Sequence, residues 1–91
     1  MIRLNVFIRT SAADREETLR TAQELVAASL GDGGCVAYDL FASRTRDDVL
    51  MICETWRDEA SLEAHRQTPH FRRLVPELHR LAEMKSERFE Y

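Results

Sequence analysis

The sequence predicts an α+β domain in which two helices cover one face of a four-stranded antiparallel sheet, and three observations predict it. Segments of alternating hydrophobicity open and close the chain, at residues 2–8 and 85–91. Two strand-like runs, residues 35–43 and 49–56, flank a polar stretch, Arg44-Thr-Arg-Asp47, suited to a hairpin. Two longer stretches carry apolar residues at helical spacing. The order strand, helix, strand, strand, helix, strand is that of the ferredoxin-like βαββαβ arrangement.

In the first strand Ile2, Leu4, Val6 and Ile8 share one face and Arg3, Asn5, Phe7 and Arg9 the other. Asn5 interrupts this apolar run, and a buried amide there must find partners. Ser11 can cap the next helix, whose first turn gathers Asp14, Glu16 and Glu17 against the macrodipole. Leu19, Ala22, Leu25 and Val26 then mark a helix over 13–30 that lays one face on the sheet. Gly31-Asp32-Gly33-Gly34 reads as its C-cap and turn; it follows a helix and lacks the lysine of a phosphate loop.

The hairpin follows, with Ser43 near Asp48 and Cys53 opposite about Tyr38. Cys35 and Cys53 are therefore expected as buried free thiols, and without a suitably spaced histidine pair they make no zinc site. Asp58 can cap a short helix over 59–66, and Thr68-Pro69 is an N-cap followed by proline at the first helical position. Phe71, Leu74, Val75 and Leu78 mark a last helix over 69–83, in which Pro76 predicts a bend or break near Val75. Met84 leads into the final strand, with Glu87, Phe89 and Tyr91 on one face.

A chain of 91 residues holds one domain, 1–91. Its formal charge of −3 argues against nucleic acid, since nothing would drive counterion release. No apolar run approaches the roughly 20 residues that span a bilayer, and the N-terminus enters a strand pattern without signal-peptide regions, so a cytoplasmic protein away from membranes is expected. Two helices cover only one side of a sheet whose strand Val49-Leu-Met-Ile-Cys53 is apolar on both faces. A second copy of the sheet is the simplest cover, which predicts a homodimer.

The chemistry gathers between Glu54 and Phe71. Trp56 ends a strand, His65 sits one turn after Ser61 and Leu62, and His70 follows Pro69 in the first turn of a helix. Imidazole suits proton transfer near neutral pH, and Trp56 and Phe71 can stack on a flat ligand. Each also has a plain structural role: a backbone hydrogen bond for either histidine, core packing for the aromatics. Arg72, Arg73, His79 and Arg80 read as a solvated basic surface.

The motifs Gly34-Cys35-x-x-Tyr38-Asp39-Leu40-Phe41, Glu54-x-Trp56-x-Asp58-x-x-x-Leu62-x-x-His65 and Thr68-Pro69-His70-Phe71 resemble the antibiotic biosynthesis monooxygenase family, and the last two its small quinol monooxygenase branch. The resemblance spans almost the whole chain. It implies a dimer packed sheet on sheet and a cofactor-independent monooxygenase, without flavin, haem or metal, acting on a small aromatic quinol or polyketide-like substrate and O2. It also implies His65 as proton acceptor, Asn5 as a catalytic partner, and Trp56, His70, Phe71 and Tyr38 as substrate contacts. In the haem-degrading relatives a functional asparagine aligns at Asn5, but the iron ligand falls at Val75, which cannot coordinate iron. Two alternatives stay open. An isomerase acting on a small phosphorylated ketone would place Arg9, Arg72 or Arg73 in its pocket, and a non-catalytic binding dimer would have a pocket that no histidine reaches.

Overall fold

A computed structural model describes residues 1–91 and has the ferredoxin-like α+β fold. Its elements are β1 Ile2–Thr10, α1 Arg15–Ser29, β2 Cys35–Ala42, β3 Val49–Trp56, α2 Glu59–Arg66, α3 Pro69–Leu81 and β4 Ala82–Glu90. The four strands form one antiparallel sheet in the order β2-β3-β1-β4. No helix is long and apolar enough to cross a membrane.

The period-two pattern of the strands decides which residues the helices cover. Ile2 and Ile8 of β1 and Leu50, Ile52 and Trp56 of β3 are buried with Leu25 of α1, Leu62 of α2 and Leu74 and Leu78 of α3. The alternate residues, Phe7, Met51, Cys53 and Phe41 among them, occupy the uncovered face, where Phe7, Phe41 and Phe89 are exposed.

Local chemistry sets the helix starts. The Asp58 carboxylate accepts the Ser61 N–H at 2.8 Å and so caps α2. Thr68 Oγ1 accepts the Phe71 N–H at 3.2 Å while its hydroxyl donates to the His65 carbonyl at 2.7 Å, which ties the end of α2 to the start of α3.

Several expectations are corrected. Ser11 does not cap α1: its hydroxyl accepts the Asp14 N–H, closing a turn before a helix that starts at Arg15. The left-handed glycine is Gly34, with φ 78°, whereas α1 ends at Leu30 in right-handed geometry. Pro76 neither breaks nor ends α3, since both it and Arg72, whose carbonyl it frees, lie on the exposed side where water can serve that oxygen. That helix stops at Leu81 rather than residue 83, because β4 begins at Ala82 and pairs with the whole of β1, from Thr10–Ala82 to Ile2–Glu90. The hairpin register is one residue off expectation, with Cys53 opposite Asp39 and Tyr38 opposite Glu54, and an irregularity between Cys35 and Ala37, at the end away from the loop, brings Cys35 opposite Trp56. Cys35 and Cys53 are free, and both are half-buried rather than buried.

Candidate active site

Three connections converge behind the end of β3. The turn after α1 carries Asp32, the buried face of α2 carries Ser61, Leu62 and His65, and the first turn of α3 carries His70 and Phe71. Gly34 lets the first of these pass close to α2: its carbonyl accepts the Arg57 N–H at 2.8 Å, and a Cβ at this position would fall inside the Ser61 side chain.

The result is a carboxylate shared by two imidazoles. Asp32 Oδ2 lies 2.7 Å from His65 Nδ1 and 2.9 Å from His70 Nε2. An ionised carboxylate only accepts, so both ring nitrogens donate, and a neutral His65 then carries its lone pair on Nε2. That atom is sealed from solvent and has no hydrogen-bond partner. The His65 ring lies 4.4 Å from the Trp56 ring, 5.1 Å from Phe71, which meets it edge-on, and 5.6 Å from Tyr38. Asp32, His65 and His70 also form a donor set that can hold a metal ion, with ligand atoms all within 4.8 Å of one another.

Beside this layer, between sheet and helices, is a mainly apolar cavity of about 200 Å³. Leu4, Val6, Ile52, Leu62 and Val75 supply carbon walls, Tyr38 and Phe71 aromatic ones, and Arg66, His79, Lys85 and Ser86 further polar lining. Its deeply buried polar groups are Tyr38 and Glu54, 4 % and 5 % exposed. Glu54 Oε1 accepts the Trp56 indole N–H at 3.0 Å. Burial raises the Glu54 pKa above the ordinary carboxylate range against the opposing pull of that indole N–H and of His65. Burial, then the neighbouring Glu54, also pushes the Tyr38 hydroxyl well above the usual phenol range, so it stays a donor.

The expected site residues divide three ways. Tyr38 and Phe71 line the cavity; Trp56, His65 and His70 form the packed layer behind its wall. Asn5 is on the other face of the sheet, where its amide donates to Glu87 Oε1 at 3.3 Å, because Leu4 and Val6 on either side of it take the cavity face. Asn5 and His65 are therefore on opposite sides of the sheet within one chain. The arginines required by the phosphorylated-ketone reading are elsewhere: Arg9 pairs with Asp48, Arg72 with Gln67 and Arg73 with Glu24.

Glu54 and Asp32 are functional candidates that the sequence reading passed over. Glu54 was legible, since a carboxylate in phase with Leu50, Ile52 and Trp56 must lie on the buried face of β3. Asp32 carried no such signal inside a glycine-rich turn.

The model of the family described as antibiotic biosynthesis monooxygenase matches residues 1–77. A Bacillus subtilis protein named "Putative monooxygenase YcnE" is 37 % identical over 75 residues, covering 82 % of this chain and 79 % of that one. A Bacteroides thetaiotaomicron crystal structure of a protein of unknown function, described as a possible oxidoreductase, is 52 % identical with a TM-score of 0.97, over 99 % of this chain and 96 % of that one. SnoaB, a cofactor-independent oxygenase from Streptomyces nogalater, shares the fold at 17 % identity and a TM-score of 0.89, over 99 % of this chain and 91 % of that one.

Proposed function

This chain belongs to the antibiotic biosynthesis monooxygenase family, and from that premise we propose that it is a cofactor-independent monooxygenase that oxidises a small aromatic quinol with O2. The observation that carries the reading is the apolar cavity walled by Tyr38 and Phe71, set against a histidine whose tautomer is fixed by a carboxylate. Such a cavity holds a flat ring and excludes water, and the pair behind it can store a proton.

A quinol brings its own electrons. One oxygen atom of O2 enters a ring C–H bond, and the other leaves as water with the two hydrogens and two electrons released as quinol becomes quinone. No flavin, haem or metal enters this balance. The protein's part is to bind the ring, draw a proton from a ring hydroxyl and keep bulk water away. His65, which lies behind the cavity wall, is the proton store of this reading once a group at the wall has taken the proton; Asp32 orients its ring and Trp56 holds it by stacking. The working unit is a homodimer joined through the uncovered sheet face, where Phe7, Phe41 and Phe89 are exposed. SnoaB supports the reading by fold analogy alone.

The test is oxygen uptake by purified protein, without added cofactor, against a panel of quinols and anthrones. Uptake above the autoxidation background supports the reading. Its absence across the panel, or activity that tracks a stoichiometric metal and is lost on chelation, overturns it.

A further inference from the structure

Behind the apolar walls the cavity offers a ligand one carboxyl group, that of Glu54, to which the sequence reading attached no role. Its Oε1 accepts the Trp56 indole N–H at 3.0 Å, and the Tyr38 hydroxyl bears on the same carboxyl from β2. Glu54 lines the cavity, and its Oε2 is not among the sealed polar atoms without a partner, which are Ser29 Oγ and His65 Nε2. His65 does not line that space. A proton leaving a ligand there meets Glu54 first.

Volume narrows the ligand. An engineered apolar cavity of about 150 Å³ takes up benzene, so a space of about 200 Å³ seats one substituted ring. The carbon walls and Tyr38 and Phe71 receive the ring, and a hydroxyl on it must be met by the buried polar groups, Glu54 and Tyr38.

We propose that Glu54 is a catalytic residue that accepts a hydrogen bond from the ring hydroxyl of a single-ring hydroxyarene and takes its proton. The inference rests on the monooxygenase reading for its reaction. In the step, the substrate O–H bond breaks, an O–H bond forms at Glu54 Oε2, and the electron pair stays on the substrate oxygen, which becomes the electron-rich donor to O2. The proton goes back when one oxygen atom leaves as water. A buried carboxyl of raised basicity suits this task. The ionisable groups near it are Cys35 and Tyr38 from β2, His65 and Arg66 from α2, His79 from α3 and Lys85 from β4.

Trp56 is the only tryptophan in the chain, so its emission reports on the carboxyl it bonds and on ligands beside it. The experiment is a titration of phenol and of toluene, neither consuming oxygen, followed by Trp56 emission across the acid-to-neutral range. Phenol is expected to bind roughly tenfold more tightly as Glu54 ionises, because a charged acceptor strengthens the bond, whereas toluene binding stays flat. In Glu54→Gln, which keeps an acceptor for the indole but cannot ionise, phenol binding loses that pH dependence. Phenol binding as pH-independent as that of toluene in the unmodified protein overturns the proposal, as does a dependence that persists in Glu54→Gln. These readouts need no turnover. Failure of oxygen uptake on every quinol sinks the monooxygenase reading alone, and uptake undiminished in Glu54→Gln sinks the assignment of Glu54 alone.

Discussion

Asp32 and His65, 33 positions apart in the chain, meet at 2.7 Å through Oδ2 and Nδ1, and the imidazole of this pair is 1 % exposed. Truncating the carboxylate leaves a buried ring N–H without its acceptor, at a cost of about 1–3 kcal/mol. Asp32→Ala is therefore expected to lower the denaturation midpoint clearly, and Asp32→Asn, whose amide oxygen can still accept from one imidazole, by less. Urea unfolding of the two variants separates them; equal midpoints for Asp32→Ala and the unmodified protein would show that the bond contributes nothing.

For turnover, His65→Gln is a better probe than His65→Ala, since a cavity beside Trp56 would mix packing loss with chemistry. If His65 stores the substrate proton, oxygen uptake falls by about 10²–10⁴-fold, the usual range for an acid–base residue. Full activity in a folded His65→Gln variant would reduce the Asp32–His65 pair to a structural tie.

Glu54 makes a prediction in stability that is independent of any substrate. Burial holds its folded pKa above the unfolded value, so the folded chain binds this proton more readily. The stability it contributes is complete in acid, below the unfolded carboxylate range, and is lost as pH rises through the folded pKa. Gln cannot ionise. Glu54→Gln should therefore gain in melting temperature over the unmodified protein as the pH rises towards neutral, the gap closing in acid; a constant gap at all pH values would contradict the shift.

How much of this was legible depends on whether the signal was local. The order of elements, the caps at Asp58 and Thr68 and the two sheet faces follow from periodicity and capping chemistry, which act over a few residues. The site was legible in part: Tyr38 and Phe71 do line the cavity, and Trp56, His65 and His70 do gather. Strand phase already put Asn5 on the face of Phe7, where it lies opposite Cys53 and Glu87; what the sequence left open was which of the two faces the helices cover. Asp32 was invisible because its partners lie beyond β2 and β3, a closure that only the folded sheet brings about.

Gly34 tests that closure. Its φ of 78° suits glycine, and an added Cβ would collide with Ser61 on α2. Gly34→Ala should cost roughly 1–3 kcal/mol from backbone strain, with a further loss as α2 and His65 shift. Near-UV circular dichroism of the Trp56 environment should move along with the melting temperature. An unchanged spectrum would mean that the turn adapts without disturbing the histidine layer.

The uncovered sheet face leads to the last prediction. Across three strands it presents Phe41, Met51 and Phe7 in one row, with Phe89 two rows along β4; Phe7, Phe41 and Phe89 are 41 %, 50 % and 48 % exposed. Four strands of about nine residues make a face of roughly 20 by 30 Å, the scale needed for a standard interface of about 800 Å² per partner. The row ends in Lys85 on β4, and the exposed patch of Phe41, Met51 and Phe7 is the kind of apolar surface that marks an interface. The neighbouring row, Asp39, Cys53, Asn5 and Glu87, is polar at three of its four positions and gives the contact a register, because a sheet packed on its own copy must satisfy those groups. Phe7→Glu places a charge in the centre of that contact, so it should convert a dimer to a monomer at micromolar concentration in sedimentation. In an isolated chain the same side chain is solvent-exposed, and the substitution should leave folding within about 0.5 kcal/mol apart from the loss of association. Asn5→Ala, in contrast, should weaken the dimer without touching the cavity of its own chain. An unmodified protein that sediments as a monomer at that concentration would refute the interface, and a Phe7→Glu variant that remains dimeric would place it on another face.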